Sequence, residues 1–428
     1  MNLPSFSGRQ TYFLQSGSHL GRHGIVLLRP IEHYLGNKVG DGLCDFLNHD
    51  LLLQFAFIAR SVSPAGRRAA PAAMSPARAS RRLTLRDLAK HADVSPATVS
   101  LVLRKSPLVA AKTRERVLES MRILGYVYNR GAASLRTQCT HTVGVAINEL
   151  ANPYFAELTT AIERALNRIG YSVFLSNSAE DPARQDQFID TMREYNVDGL
   201  IICPAAGTTA KSLHRLVQFE MPCVQISRYV RDATLDFAGN DHRRGTYLAT
   251  DHLISLGHRR IAMIGGNDRI STGWERRRGF ADALAAHGIS VDPDLVVSAP
   301  ATRESGAEAI KALLSTRHPP TAAACFNDVV AFGVMLGLRQ LNLEPGRDFA
   351  VTGCDDISEA ALWNPGLTSV AIDTAAMGEL AAQMLLDRIA DHRVPHRAAV
   401  LEPRLVIRAS SGSPRRESTG LLPQPAGS

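Results

Sequence analysis

The sequence has few cysteines and none at a spacing that suggests chemistry. Six cysteines are scattered over 428 residues, with no Cys-x-x-Cys pair and no histidines at metal-ligand spacing. Dispersed cysteines of this kind are typical of reduced, buried side chains in a cytosolic protein, rather than of disulfides or a zinc site. We therefore expect no metal centre.

The sequence also lacks a hydrophobic run long enough to span a membrane. The apolar stretch at residues 51–59 is far shorter than the roughly 20 residues that a bilayer requires. It lies well inside the chain, behind Asp41, Asp45 and Asp50, where a secretory signal would not be found. These features disfavour export and membrane insertion and indicate a cytoplasmic protein.

Common enzyme motifs are missing as well. Gly265-Gly266 is not the Gly-x-Gly-x-x-Gly that would cradle a dinucleotide, and neither a Walker-type lysine motif nor a Gly-x-Ser-x-Gly elbow occurs. His258, just before the apolar run RIAMIG, is interpreted as a structural histidine. The sequence therefore disfavours an enzyme and predicts no cofactor.

Two short amphipathic helices are predicted between residues 83 and 103. Thr84 and Asp87 resemble a capping box at the start of the first helix, and Ser95 followed by Pro96 is typical of the start of the second. Two such helices joined by a short turn form a helix-turn-helix, whose second helix can enter the major groove of DNA. The pattern by itself leaves an ordinary helical hairpin equally open.

Positive charge is concentrated in the same region. Residues 74–140 contain 13 Lys and Arg against four Asp and Glu, an excess of nine, whereas the whole chain has a net charge of +7. A third helix is predicted from about Lys112 to Leu124, ended by Gly125, which completes a small three-helix core. A basic module of this kind favours contacts with nucleic-acid phosphates.

From Thr142 onward, short β-rich runs alternate with helical stretches. The first series contains TVGVAI, YSVFLS, DGLIIC and PCVQIS, and the second contains RIAMIG, DLVVS, AAACF, FAVTGC and TSVAI. This alternation predicts βαβ units and parallel, doubly wound sheets covered on both faces. Two series predict two lobes.

Several motifs in this order resemble the lac-repressor (LacI) family of bacterial transcription regulators. They are LRDLAKHADVSPATVSLVL, KTRERVLESMRILGY, NRGAASLR, HTVGVAINELANPYFAEL, NVDGLIICP, DHLISLGHRRIAMIGG, CFNDVVAFG and GCDDISEAALWNPGLTSV. The resemblance extends from Leu83 to about Ser410. It implies an all-α helix-turn-helix headpiece followed by an α/β, two-lobed domain of the periplasmic-binding-protein type.

The resemblance also implies domain boundaries. We expect a headpiece at 83–127, a hinge helix and linker at 128–141, a two-lobed domain at 142–410 and a disordered tail at 411–428. The chain is expected to cross between the lobes near Gly239, Ile372 and Val400, so that the lobes comprise about 142–240 with 372–398 and 241–371 with 399–410. Residues 1–82 do not resemble the family. We expect that the family-like protein begins near Met74 and that the residues before it are a disordered extension or upstream sequence translated from an early start codon.

The resemblance places the DNA contacts on the second helix and the hinge, with one more at the start of the first helix. The expected contacts are Thr84, Ser95, Pro96, Ala97, Thr98, Ser100, Leu101, Arg104, Asn129, Ala132, Leu135 and Arg136. Pro96, Ala97 and Leu101 offer apolar contact with thymine methyl groups rather than hydrogen bonds to guanine. The hinge and DNA shape are therefore expected to provide much of the specificity.

Three residues in or near these helices are unusual for the positions that they occupy. Asp93 stands where relatives mostly have glycine and is expected at positive φ, which aspartate tolerates better than most residues. Ala110 lacks the serine that often caps the third helix. Gly131 lowers the helix propensity of the hinge by roughly 1 kcal/mol relative to alanine.

The resemblance implies an effector site between the lobes. Tyr154 and Phe155 correspond to aromatic residues that pack against the ligand, although core packing is an alternative, above all for Phe155. Arg276 matches the arginine that grips the effector, whereas Arg277 and Arg278 are expected on the solvent side. Cys354 stands where the family usually has an aromatic residue.

Polar residues follow two buried strands at the predicted cleft. Asn327 and Asp328 come after AAACF, and Asp355 comes after FAVTGC. Ligands in open α/β sheets bind beyond the carboxyl ends of strands, where such side chains can read hydroxyl groups. Each could instead cap the next helix, and we expect Asp328 to be the cap and Asn327 and Asp355 to contact the ligand.

Together these features imply a transcriptional regulator, most simply a repressor. The expected assembly is a homodimer, or a higher oligomer, that binds a pseudo-palindromic operator and responds to a small molecule in the cleft, most simply a sugar or sugar derivative. The alternative is a transport-type sugar-binding protein with the same two lobes. The helix-turn-helix and the basic headpiece argue against it.

Leu135 corresponds to the leucine that relatives push into the minor groove, so the Leu135→Ala variant tests the hinge. The free-energy cost of unstacking a base step is offset only when the bent DNA makes additional contacts with the protein. We therefore expect the substitution to weaken binding to the specific operator more than binding to unrelated DNA, measured by gel shift on both. Equal losses on the two DNAs would favour a solvated linker instead.

Overall fold

A computed structural model of the chain describes residues 83–104, 106–128 and 139–413. The predicted extension at 1–82, most of the predicted hinge and the tail from 414 onward lie outside these ranges. The chain divides into two units on either side of the Ser100–Leu101 bond. No helix in the described ranges is both long and apolar enough to cross a membrane.

The first three helices lie where the sequence predicts them, at α1 (Leu85–His91), α2 (Pro96–Leu103) and α3 (Ala111–Leu124). The capping box of α1 is confirmed: the Asp87 amide donates to Thr84 Oγ1 (3.3 Å), and the Thr84 amide donates to Asp87 Oδ2 (2.8 Å). Ser95 Oγ accepts from the Thr98 amide (3.0 Å) at the start of α2. These caps provide partners for amides that a helix terminus leaves free.

The expected turn geometry is also confirmed. Asp93 has a φ of 49° and Gly125 a φ of 62°, so the turn after α1 and the end of α3 both use the left-handed region. Ala110 makes no side-chain hydrogen bond to α3.

The rest of the chain alternates between strands and helices. In chain order the elements are β1 (Thr142–Ile147), α4 (Pro153–Asn167), β2 (Ser172–Asn177), α5 (Pro182–Glu194), β3 (Gly199–Ile202), α6 (Ala210–Gln218), β4 (Cys223–Ile226), β5 (Asp236–Asn240), α7 (His242–Ser255), β6 (Ile261–Ile264), α8 (Ser271–Ala286), β7 (Val296–Val297), α9 (Arg303–Leu314), β8 (Ala322–Cys325), α10 (Asp328–Gln340), β9 (Ala350–Asp355), α11 (Glu359–Leu362), β10 (Thr368–Ala371), α12 (Thr374–Ala390), β11 (Ala398–Leu401) and β12 (Arg404–Val406). Short 3₁₀ turns lie at Pro293–Leu295 and Ala409–Ser411.

Two six-stranded sheets form two lobes. The order in lobe 1 is β11-β5-β4-β3-β1-β2, with every neighbouring pair parallel. The order in lobe 2 is β12-β10-β9-β8-β6-β7. The prediction of parallel sheets is confirmed in lobe 2 except at one edge, where β12 runs antiparallel to β10. The chain enters lobe 2 from the carboxyl end of β11, so β12 starts near the carboxyl ends of the other strands and runs in the opposite direction.

Side-chain alternation along the strands builds a core on both faces of each sheet. On β1, Val143, Val145 and Ile147 join the core that contains residues of α4 and α12, whereas Ala146 packs with residues of α5 and α6. On β6, Ala262 and Ile264 pack with residues of α9 and α10, whereas Ile261 and Met263 pack with residues of α7 and α8. A strand buried on both faces is therefore apolar at successive positions, as the sequence shows.

Three short connections join the lobes. The chain passes from lobe 1 to lobe 2 between β5 and α7, returns between β10 and α12, and passes again between β11 and β12. The carboxyl ends of the parallel strands thus meet at the interface between the lobes, where ligands of open α/β folds bind.

Gly279 on α8 permits a close helix crossing in lobe 2. A Cβ atom at this position would lie 2.0 Å from the carbonyl oxygen of Arg243 on α7, so no larger residue fits without displacing the backbone. The crossing brings α8, and with it Arg276, against the start of α7.

Candidate functional site

A cavity of about 780 Å³ lies between the two lobes. Its walls come from the carboxyl ends of strands in both sheets and from the first turns of α4 and α8. The sequence-predicted residues that line this interlobe cavity are Tyr154, Phe155, Arg276, Asn327 and Asp355. Residues that are 201 positions apart in the chain, Tyr154 and Asp355, therefore share one site.

The guanidinium of Arg276 is buried in the floor of the cavity. Its Nη1 donates to the carbonyl oxygen of Phe326, and its Nη2 lies 3.3 Å from both Asp355 Oδ1 and His242 Nδ1. The guanidinium carbon also lies 4.4 Å from the centre of the Phe326 ring, a cation–π contact. Four elements thus converge on this one positive charge.

Asp355 supplies the negative charge opposite Arg276. Burial raises the pKa of Asp355 to about 6, although the Arg276 charge opposes that shift. Its φ of 114°, followed by 50° at Asp356, places two non-glycine residues in an unfavourable backbone region at the end of β9. Strain of this kind is often found at functional sites.

His242 connects the floor of the cavity to lobe 1. Burial lowers the pKa of His242 to about 3, and the nearby Arg276 charge lowers it further, so the ring is neutral at physiological pH. Its Nε2 lies 3.2 Å from the carbonyl oxygen of Ser227, which assigns the proton to Nε2 and leaves Nδ1 to accept from Arg276. His242 was not predicted from the sequence; it is the first residue of α7, directly after the N-cap Asp241.

Tyr154 continues the same chain of hydrogen bonds within lobe 1. Its hydroxyl donates to Ser227 Oγ (3.0 Å), and its ring meets the edge of the Phe155 ring at 5.1 Å. Burial raises the pKa of Tyr154, so the hydroxyl stays protonated. Asn152 places both aromatic residues in the first turn of α4 by accepting from the Tyr154 amide (3.1 Å).

The expectation that Asp328 caps α10 is wrong, whereas Asn327 lines the cavity. Asn327 is the N-cap of α10, because its Oδ1 accepts from the Val330 amide (3.0 Å). Asp328 is completely buried, accepts from Ser369 Oγ (2.5 Å) and the Ile357 amide (3.0 Å), and does not line the cavity. The error arises because α10 begins one residue earlier than the sequence suggests.

Two further features of the cavity were not foreseen. Arg228 and Glu180 form an ion pair in lobe 1, in which the single nitrogen Nη1 lies 2.7 and 3.0 Å from the two carboxylate oxygens. Thr272 on α8 also lines the cavity. The rule that found Asn327 and Asp355, polar residues just after buried strands, would have found Arg228 after β4.

Two polar atoms on the residues that line the cavity are unsatisfied. Thr272 Oγ1 and Arg276 Nε are buried and have no hydrogen-bond partner within the described ranges. Buried polar groups without partners are uncommon in folded proteins, and each calls for a specific explanation.

The two arginines that follow Arg276, both expected on the solvent side, differ in exposure. Arg278 is exposed, whereas Arg277 is half-buried, with its Nε 3.0 Å from Asp268 and its Nη2 3.0 Å from Ser298. Neither residue lines the cavity. Arg276 is therefore the one member of this run that reaches the ligand site.

None of the expected DNA contacts within the described ranges is buried. Those that are exposed are Thr84, Ser95, Pro96, Ala97 and Arg104, and those of intermediate exposure are Thr98, Ser100 and Leu101. Val99 and Val102, by contrast, are buried on the other side of α2. The remaining expected contacts lie outside the described residues, namely Asn129, Ala132, Leu135 and Arg136.

Comparison with known proteins agrees with both parts of the chain. Residues 84–129 match the family of bacterial regulatory proteins of the lacI type, and residues 140–408 match the family of periplasmic binding proteins and the sugar-binding domain of the LacI family. The second match alone covers more than half of the chain.

Curated relatives and solved structures have the same organisation. The chain is 32% identical over 328 residues to the HTH-type transcriptional repressor PurR of Histophilus somni, covering 76% of this chain and 98% of that protein. It is 31% identical over 327 residues to the ribose operon repressor of Haemophilus influenzae, with the same coverage. The lac repressor dimer bound to operator and the anti-inducer ONPF is 26% identical, with a TM-score of 0.70 over 78% of this chain and all of that one. With both of its parts matched in order, the chain belongs to the LacI family of bacterial transcription regulators.

Proposed function

We propose that this protein regulates transcription by binding a pseudo-palindromic operator as a homodimer, and that an uncharged, polyhydroxylated molecule such as a sugar sets its operator affinity. The observation that carries this proposal is the interlobe cavity, whose walls combine side chains of both lobes and whose two most buried arginines, Arg228 and Arg276, already pair with carboxylates. Hydroxyl groups both donate and accept, so a sugar can satisfy such a surface.

The charges of the cavity favour a neutral ligand over a phosphate ester. Arginines and carboxylates line the cavity in equal numbers, namely Arg228, Arg269, Arg276 and Arg303 and Glu149, Glu180, Glu304 and Asp355. The two most buried arginines are paired with carboxylates. A phosphate would have to approach Glu180 and Asp355, whereas hydroxyl groups can donate to their oxygens. The names of the matched sugar-binding family and of the ribose operon repressor support the same ligand class.

A ligand in this position can control DNA binding because the cavity has walls from both lobes. A molecule that contacts lobe 1 and lobe 2 together stabilises one relative arrangement over others. If the two arrangements differ in operator affinity, ligand and DNA binding are coupled, and the coupling is reciprocal. Lobe 1 directly follows the segment that leads from the helix-turn-helix.

The alternative of a transport-type sugar-binding protein does not account for the first part of the chain. Residues 84–129 match the DNA-binding part of the family, and the exposed side of α2 holds its expected base-contacting residues. We infer that the cavity binds its ligand without transforming it, since no catalytic set of residues was recognised in the sequence.

Selection of DNA from a random duplex library tests the proposed function directly. We expect the full-length protein to recover a palindromic site, with an affinity that falls steeply as salt increases because phosphate contacts release counterions. Free pentoses, free hexoses, sugar phosphates and purine bases are then added one at a time. A response to sugar phosphates or purines alone would overturn the ligand class, and failure to enrich any site at low salt would overturn the DNA-binding role.

Arg276→Met is expected to weaken ligand binding strongly. The variant removes charge-assisted hydrogen bonds to the ligand, so we expect the affinity for the responding sugar to fall by about 100-fold or more in calorimetry. Arg278→Met is the matched control, because this exposed neighbour on α8 does not line the cavity. A loss of similar size in both variants would point to a general effect on α8.

Ligand affinity is also expected to fall at acid pH. The pKa of Asp355 is raised to about 6, so its carboxylate accepts hydrogen bonds at pH 7.5 and is mostly protonated at pH 5. If only the ionised form binds the sugar, the affinity falls by about tenfold over this range. His242, with a pKa of about 3, does not titrate there. Asp355→Asn should bind weakly at both pH values, and a pH dependence retained in that variant would assign the effect to another group.

A further inference from the structure

A carboxylate outside the cavity holds the segment through which the chain enters lobe 1. Asp198 Oδ1 accepts from the amide (2.7 Å) and the hydroxyl (2.8 Å) of Thr140. Its Oδ2 accepts from the His141 amide (2.8 Å) and from Cys139 Sγ (2.9 Å). All four donors belong to residues 139–141, which we call the entry arm.

This arrangement uses the full acceptor capacity of one side chain. An ionised carboxylate offers about four acceptor positions, and hydrogen bonds to it are stronger than those between neutral groups. Two of the donors are backbone amides just before β1. Burial raises the pKa of Cys139 and the hydrogen bond to Asp198 raises it further, so the thiol keeps the proton that it donates.

The backbone of the entry arm is joined to neighbouring strands at the same place. The His141 carbonyl oxygen accepts from the Ser172 amide (2.9 Å) on β2, and the Thr142 carbonyl oxygen accepts from the Asp198 amide (2.8 Å). The His141 ring meets Tyr171 edge-on at 5.2 Å, and His141 itself turns the chain with a φ of 53°. The arm therefore has one defined path on lobe 1.

The position of Asp198 separates it from the ligand site. Asp198 directly precedes β3, and the entry arm directly precedes β1, so both lie at the amino ends of parallel strands. The interlobe cavity lies at the carboxyl ends. In the sequence, residues 125–138 separate the entry arm from the DNA-binding helices.

We propose that Asp198 is a positioning residue for specific DNA binding, because it fixes on lobe 1 the point from which the hinge starts. This inference rests on the proposed function. In a dimer, two such points determine how far apart the two hinges begin, and a palindromic operator requires one spacing. Non-specific binding depends on phosphate charge and does not require that spacing.

The test compares Asp198→Ala, Asp198→Asn and the control Asp190→Ala in the full-length protein. Asp190 lies on α5 of the same lobe, is half-exposed and pairs with Arg215. Each substitution removes one negative charge, so any general electrostatic gain in DNA affinity should be similar in all three variants. Asparagine keeps one oxygen acceptor but brings an NH₂ group toward donors, so it should act as a partial replacement.

The measured quantity is the ratio of affinities for the selected operator and for unrelated duplex DNA of equal length. We expect this ratio to fall at least tenfold in Asp198→Ala, less in Asp198→Asn, and not in Asp190→Ala. Amide hydrogen exchange at Thr140 and His141 should accelerate in the same order, while the melting temperature of the two lobes changes little.

Two outcomes would overturn the inference. The first is a ratio for Asp198→Ala within twofold of the original protein, and the second is a fall in the ratio accompanied by equal losses in Asp190→Ala. If Asp198→Ala fails to fold, the affinity ratio of Asp198→Asn is judged by the same two criteria. Failure of the proposed function is separate, since the unaltered protein would then show no sequence preference.

Discussion

The burial of the Arg276 guanidinium is the constraint on which the ligand site depends. A positive charge removed from water is tolerated only when carboxylates, carbonyls or other acceptors surround it. Here Asp355, the Phe326 carbonyl and the neutral His242 ring provide them, from three different elements. The close crossing of α7 and α8 at Gly279 brings His242 within hydrogen-bond distance of Arg276. The packing of these two helices therefore determines the polar contacts of the site.

The same network extends across the lobe boundary. Arg276 donates to His242, His242 donates to the Ser227 carbonyl, and Ser227 Oγ accepts from Tyr154. Each member has a fixed protonation state near neutral pH, because burial keeps Tyr154 protonated and His242 neutral. Cavity-lining residues of the two lobes, Tyr154 and Ser227 on one side and Arg276 on the other, are therefore joined by one hydrogen-bond network through His242.

The apolar, β-rich strands could be predicted from the sequence, whereas β5 and β12 could not. The run TVGVAI is β1 with the same limits, because a strand covered on both faces is apolar at almost every position. β5 reads DFAGN and was not predicted although it is buried at every position, because Asp236 and Asn240 at its ends interrupt the apolar pattern. β12 is a short edge strand with partly exposed residues. α12, rich in alanine, was not singled out although it packs on α4 and the first sheet.

What the sequence by itself determined is local: helix caps such as Thr84 and Ser95, the left-handed turn at Asp93, the apolar strands, and the polar residues that end them. What only the tertiary structure decided is which of those residues meet. Arg228 with Glu180, Arg276 with His242, and Asp198 with the entry arm pair across 34 to 59 positions of the chain. Their partners depend on how strands and helices from both sheets come together, and no local pattern of residue types encodes that arrangement.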